Sequence, residues 1–446
     1  MAAENAPAGA LRVGIAGLGT VGVGVVRLLQ ENRDVLLQHC PRPIEVVAVS
    51  ARDRRKNRDV DLSGYDWVDD PVQLAHHPKV DVVVEVIGGA SGPAKVLTEQ
   101  AIAQGKHVVT ANKALLSAHG TALARSAEKA GLALAYEAAV AGGIPIIKAM
   151  REGLAANRIE HVYGILNGTC NYILTQMRET GREFADVLAE AQHLGYAEAD
   201  PSFDVDGIDA AHKLSILTAV AFGCEVDFAG IRVSGIRNVS AMDIEYATEL
   251  GYRIKLLGLS RLIDSKGRGE GAERRVEQRV HACMVPQNAV IAKVDGVYNA
   301  VVTHGNFVGQ NVAIGRGAGQ GPTASAVVSD LMDIARDRIL PAFSAPADTL
   351  KRIPAAAEGS HVGPFYLRLM VVDRPGVIAD VTAIMRDENV SMETMIQRAR
   401  APGDRVPVVI TTHETSQAQI SRVVDRLAGV RTVLEPPHVM SIELLS

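Results

Sequence analysis

Between Leu11 and Glu137, short runs rich in Val and Ile alternate with stretches whose apolar residues recur every three or four positions. The runs are LRVGIA (11–16), IEVVAVS (44–50), VDVVVEVI (80–87), KHVVTA (106–111) and LALAYE (132–137). Strict polar–apolar alternation would mark strands with one wet face; near-continuous aliphatic runs mark strands covered on both. Segments such as VVRLLQEN and KVLTEQAIAQG between them have helical spacing. Strand–helix alternation of this kind predicts an α/β unit over 1–137 with a doubly wound parallel sheet.

After Gly142 the pattern changes. Helical stretches at 183–194 and 207–222 are separated by strand-like HVYGIL (161–166) and RVHACMVP (279–286), which predicts a mixed α+β unit over 138–345. DSKGRGEGAERR (264–275) is charged and Gly-rich, as exposed hairpin loops are. The Pro- and Ala-containing stretch 346–364 reads as an interdomain linker. Beyond it come FYLRLMVV (365–372), a helix at 375–387, VSMETMIQRA (390–399), VPVVITTH (406–413), a helix near 416–428 and HVMSIELL (438–445). That βαββαβ order predicts a small ferredoxin-like sandwich over 365–446.

A length of 446 residues agrees with several domains rather than one core. A net charge of −5 argues against a nucleic-acid surface. The four cysteines form no CxxC pair, so neither a disulfide framework nor a zinc cluster is expected. The N-terminus MAAENAPAGA lacks a basic stretch followed by an apolar core, and no apolar run approaches the roughly 20 residues of a membrane helix. No membrane association is expected, and the cytoplasm is the expected location.

Gly17-Leu18-Gly19-Thr20-Val21-Gly22 follows the first strand and opens a helix. The glycines allow a tight turn, close approach of a pyrophosphate and tight helix–strand packing, while the helix N-terminus offers free N–H groups. In that context the motif identifies a Rossmann-type dinucleotide site. NAD enzymes carry a carboxylate after the second strand to accept bonds from the ribose 2′-hydroxyl. This chain has Ser50, Arg52, Arg54, Arg55 and Lys56 there, which favours the 2′-phosphate of NADP; Asp53 keeps NAD open.

Asp209 and Lys213 are four apart on a predicted helix, so they share a face. Alone they would read as an ordinary surface ion pair, but the following residues, Leu214, Ile216, Leu217 and Val220, carry that helix into a core. Upstream, Glu198, Asp200, Asp204 and Asp206 crowd one loop, an arrangement suited to water or to a cationic ligand group. There is no HExxH, GxSxG or Walker loop.

GLGTVG (17–22), TANKALL (110–116), YEAAVAGGIPII (136–147), GILNGTCNYIL (164–174), LGYAEADPSFDVDGIDAAHKL (194–214) and GRGAGQGPTASAVVSD (315–330) together resemble homoserine dehydrogenases, over roughly residues 11–340. The 194–214 segment carries most of the specificity. The resemblance implies interconversion of L-aspartate 4-semialdehyde and L-homoserine, on the route to threonine, methionine and isoleucine. It implies Lys213 as proton donor, Asp209 orienting it or holding substrate, Glu198 on the substrate ammonium, and Lys113 near the nicotinamide. Which lysine moves the proton stays open. Gly17, Gly19, Thr20, Val21, Gly22, Arg52, Lys113, Gly195 and Gly319 are the implied cofactor contacts. Glu137, Val140, Gly142 and Ile144 match the family's monovalent-cation ligands, usually of sodium, mostly through backbone oxygens.

VVDRPGVIADVTAIMRDENVSMETMIQ (371–397) resembles an ACT domain, an amino-acid-sensing module. Asp373, Pro375 and Gly376 belong to its strand–helix turn, where an effector carboxylate would meet free N–H groups. The family implies L-threonine as effector and a homodimer or homotetramer. The chain opens directly on the dehydrogenase-like unit, so a monofunctional enzyme is expected. Two other readings remain: a Rossmann reductase for another amino-acid semialdehyde, or a non-catalytic ACT-type sensor. The survival of Lys113, Glu198, Asp209 and Lys213 together speaks against the second.

Overall fold

The structure is a computed structural model and describes residues 9–40, 42–264, 274–398 and 403–445. Most of the hairpin loop expected at 264–275 lies outside the described residues.

The first unit is a six-stranded sheet in the order Asp66–Trp67, Ile44–Ser50, Leu11–Ala16, Val82–Glu85, His107–Thr110, Leu134–Ala135. Every neighbouring pair is parallel. The strand Asp66–Trp67 escapes sequence reading because two residues carry no pattern. Strand order reverses beside Leu11–Ala16, and such a switch point opens a crevice at the carboxyl ends of the strands.

Among the described residues a second sheet of ten strands spans the other two units, nine of them on one path and Arg232–Val233 pairing off it with Arg279 and Val280. Its path runs Gly309–Arg316, Tyr298–Gly305, Ile159–Ile165, Tyr252–Asp264, Arg274–Pro286, His438–Ile442, Phe365–Val372, Arg405–Thr412, Met392–Ile396. The last four are the sheet of the ACT-like module, which therefore extends the catalytic sheet instead of forming a separate layer. Cys283 and Met284 pair in parallel with Ser441 and Ile442, so each sheet covers an edge of the other.

The expected linker at 346–364 is not a free tether. Ala347, Leu350 and His361 are buried, and Val276 exchanges backbone hydrogen bonds with Pro354 and Ala356 at 2.9 and 2.8 Å. Val362–Gly363 pairs with Thr415–Ser416. Composition suggested an interdomain linker; pairing to existing edges shows this stretch to be a packed strap.

Packing also crosses the expected boundary in the other direction. In the helix Gln320–Ala335, Ala324, Val327, Leu331 and Ile334 share a core with Val13, Ile15, Val25 and Val26 of the nucleotide unit. A Cβ on Gly24 would lie 2.8 Å from the Gln320 carbonyl oxygen, so glycine is what lets the two helices meet.

Candidate active site

The strand Leu11–Ala16 ends in the glycine turn, and the helix Thr20–Glu31 starts from it. Gly17 has φ +104°, and a Cβ on Gly22 would sit 1.9 Å from the Gly17 carbonyl oxygen, so neither position accepts a side chain. Gly19 faces open space, leaving room for a bulky ligand group. Thr20 and Val21 line a cavity of about 650 Å³, as do Lys113, Gly195, Asp209, Lys213 and Gly319. The helix Gln320–Ala335 also opens on this cavity, with Gly319 at its N-cap.

Beside the turn, Ser50 ends the second strand and its carbonyl accepts the Gly17 N–H at 2.9 Å. Arg52, Arg54, Arg55 and Lys56 are exposed. Arg58, not singled out in the sequence analysis, donates to the Leu18 carbonyl at 3.1 Å. Arg54 and Arg58 each lie 5.7 Å from the centre of the Trp67 ring. Trp67 was the available signal, since its aromatic face attracts guanidinium groups.

At the cavity's inner end Asp209 and Lys213 sit one turn apart on the buried helix Ile208–Phe222. Lys213 Nζ donates to Asp209 Oδ2 at 2.7 Å and to the Leu166 carbonyl at 2.7 Å. Lys113, first residue of the helix Lys113–Lys129 at the carboxyl edge of the parallel sheet, reaches Asp209 Oδ1 at 3.1 Å. Burial by itself would raise the Asp209 pKa. Lys213 and Lys113, with hydrogen bonds from Lys213 and Asn167, outweigh burial and hold the carboxyl well below the usual range. The result is a carboxylate held in its ionised form by two lysines, with Lys113 the more exposed of them.

Asn167 and Asn299, neither foreseen from sequence, also line the cavity. Asn167 caps the helix Gly168–Thr180 and touches Asp204 and Asp209; Asn299 donates to the Leu166 carbonyl at 3.1 Å. An isolated asparagine carries no pattern of its own; the one signal for Asn167 was its place in the GILNGTCNYIL segment. Asp204 turns inward from the acidic loop, whereas the Glu198 side chain is exposed and does not line the cavity; its neighbours Gly195 and Tyr196 do.

The Glu137 carboxylate accepts the N–H groups of Ile147 and Lys148 at 2.9 and 2.8 Å. Burial, reinforced by Asp330, pushes its pKa up to about 7. That side chain is committed to backbone. In the same buried turn Ala141 and Gly142 have φ +55° and +40°. Among the described residues no hydrogen-bond donor reaches the carbonyl oxygens of Val140 and Gly142. Buried oxygens of this kind suit a hard monovalent cation. In the C-terminal module Arg374, Pro375 and Gly376 are exposed, and Gly376 (φ +96°) caps the helix Val377–Asp387. The backbone N–H of Asp373 is taken by Asp404 at 2.8 Å.

A hydride transfer to an aldehyde requires a nucleotide held at one end of a crevice and a proton source at the other. The glycine turn and the lysine-bearing Asp209 supply these two ends, which defines a dinucleotide-dependent oxidoreductase. Comparison with known proteins narrows the class. The family profile for the homoserine dehydrogenase domain matches residues 145–332, that for the homoserine dehydrogenase NAD-binding domain matches 17–137, and that for the ACT domain matches 365–431. A Pseudomonas aeruginosa homoserine dehydrogenase is 43% identical over 98% of this chain and 99% of its own length. A solved homoserine dehydrogenase from Thiobacillus denitrificans superposes with a TM-score of 0.90 at 42% identity, covering 98% of this chain and 99% of that one. A hyperthermophilic archaeal homoserine dehydrogenase solved with NADPH shares the fold (TM-score 0.60, 24% identity, 74% of this chain and 99% of that one). The chain belongs to the homoserine dehydrogenase family.

Proposed function

We propose that this enzyme reduces L-aspartate 4-semialdehyde to L-homoserine, and catalyses the reverse, with NADP preferred to NAD. The observation that carries the proposal is Asp209 holding Lys213 and Lys113 in one cavity with the glycine turn. The nicotinamide supplies hydride to the carbonyl carbon when bound. Lys213 gives the proton that the new alkoxide needs and, as a cation, stabilises charge on that oxygen. Asp209 keeps Lys213 in place. Lys113 contacts the nicotinamide end and shares the cationic field. Glu198 meets the substrate ammonium. Gly17, Gly19, Thr20, Val21, Gly22, Gly195 and Gly319 take the rest of the cofactor, with Arg52 on the 2′-phosphate.

The same proposal places a sodium ion on the backbone oxygens of Glu137, Val140, Gly142 and Ile144. It divides the chain into cofactor (1–137), catalytic and dimerisation (138–345), strap (346–364) and regulatory (365–446) parts. L-Threonine binds at Asp373, Pro375 and Gly376 and feeds back on activity. The working enzyme is a cytoplasmic homodimer or homotetramer in threonine, methionine and isoleucine synthesis. The experiment is homoserine oxidation followed by cofactor absorbance, with NADP and NAD side by side. Turnover with homoserine and a higher kcat/KM for NADP is expected; no oxidation of homoserine would reject the substrate, and equal efficiency would reject the cofactor preference.

A further inference from the structure

Asp204 and Asp209 are both acidic and both turned into the cavity, Asp209 buried and Asp204 half-buried, an arrangement that self-repulsion opposes. One residue bridges them. Asn167 Nδ2 donates to Asp204 Oδ1 at 2.7 Å and to Asp209 Oδ2 at 2.9 Å, which uses both hydrogens of the amide. Its Oδ1 accepts the Cys170 N–H at 2.8 Å, capping the helix Gly168–Thr180, so the amide plane is fixed from both sides. Asp209 Oδ2 is also the atom that receives Lys213 Nζ. The other oxygen on Lys213 is the carbonyl of Leu166, the residue directly before Asn167. Two consecutive residues thus fix the acceptors that hold the lysine.

The geometry points to Asn167 as a positioning residue for the reaction: its amide spaces Asp204 from Asp209 and so sets where the Lys213 ammonium stands. The inference rests on the assignment of Lys213 as proton donor. A neutral double donor is what the place requires. Aspartate would add a third carboxylate, and serine is too short to reach both acids. The groups facing Asp204 are Asp209, Lys213 and Lys113, together with Cys170, whose thiol donates to the Asp204 carbonyl oxygen. Burial first, and then Asp209, push the Asp204 carboxyl up, while Asn167 and the two lysines pull it down. Loss of the Asn167 bond therefore moves Asp204 protonation to higher pH.

The capping role and the positioning role separate cleanly, because Asn, Asp and Ser are nearly equivalent N-caps. Asn167→Ser keeps the cap and removes the bridge. Its expected behaviour is wild-type NADPH binding, a Tm lower by no more than a few degrees for the two lost bonds, a kcat lower by roughly 10²-fold, as misplacement of a reacting group by about 1 Å produces, and an acid limb of the kcat profile displaced to higher pH. Asn167→Asp, also a good cap, is expected to be slower still at neutral pH. Wild-type kcat and pH profile in Asn167→Ser would overturn the inference. So would a kcat that falls only in step with Tm and NADPH binding in both variants, since that marks a residue needed merely for folding. Lys213→Ala serves as the control: normal turnover there removes the underlying assignment, whereas a dead Lys213→Ala beside a wild-type Asn167→Ser removes only the role of Asn167.

Discussion

Arg368 grips Asp243 with both arms, Nε to Oδ1 at 2.7 Å and Nη2 to Oδ2 at 3.2 Å. The pair ties the first strand of the C-terminal module to the helix Ala241–Glu249 of the catalytic unit. Asp243 is fully buried and also receives the Tyr366 hydroxyl at 3.0 Å. Burial alone would raise its pKa, but Arg368 and its other partners bring it below the usual value. Arg368→Leu would leave that carboxylate buried and undercompensated, at a cost of about 3–5 kcal/mol. Urea unfolding of the full chain measures it, and a loss below 1 kcal/mol would show that water reaches Asp243.

Lys213→Ala should lower kcat by roughly 10²–10⁴-fold, the usual contribution of a positioned acid. NADPH affinity, read by fluorescence titration, should stay near wild type, because the glycine turn is untouched. Unimpaired turnover would end the proton-donor role.

Cofactor choice should shift when the arginines beside Ser50 are removed. A charge-assisted hydrogen bond contributes about 1.5–3 kcal/mol, so Arg52→Ala should raise KM for NADPH by roughly 10–100-fold and leave NADH nearly unchanged. Arg58→Ala should weaken both cofactors, since Arg58 supports the turn through Leu18. An equal effect of Arg52→Ala on both would argue against a 2′-phosphate contact.

Acid stability should depend on Glu277, buried under the strap among His361, Arg279 and Arg261. Burial raises its pKa, but the His361 bond and the two arginines prevail and lower it from 4.5 to about 2. The unfolded chain therefore binds a proton, as pH falls, before the folded one does. The stabilisation is fully present above about pH 4.5, on the order of 3 kcal/mol, and disappears as pH falls towards 2. Glu277→Gln should be less stable at pH 7 and show a flatter dependence below pH 5 in denaturant titrations at pH 7, 5 and 3. Parallel curves for variant and wild type would count against the assignment.

Threonine at millimolar concentration should reduce the activity of the full chain, and Gly376→Val should relieve the inhibition. Gly376 holds φ +96°, which a β-branched residue resists, and its N–H lies in the turn that would meet the effector. Activity indifferent to threonine would reject feedback through this turn.

The parallel sheet was legible because strands buried on both faces must be aliphatic throughout, and Leu11–Ala16 and Ile44–Ser50 end where their apolar runs end. The glycine turn was legible because backbone geometry forbids side chains at Gly17 and Gly22. Asp209 and Lys213 could be paired because an i,i+4 spacing is local to one helix. Contacts between distant segments leave no such trace. Sequence did not say that Lys113 would share Asp209, that Asn167 would bridge two acids, or that Arg58 would stand at the cofactor turn. Nor did it say that the strand His438–Ile442 would continue the catalytic sheet, or that the strap would be paired and buried. Periodicity records which face of an element is covered. Which partner covers it, and which side chains then converge in one cavity, is fixed only when the elements pack.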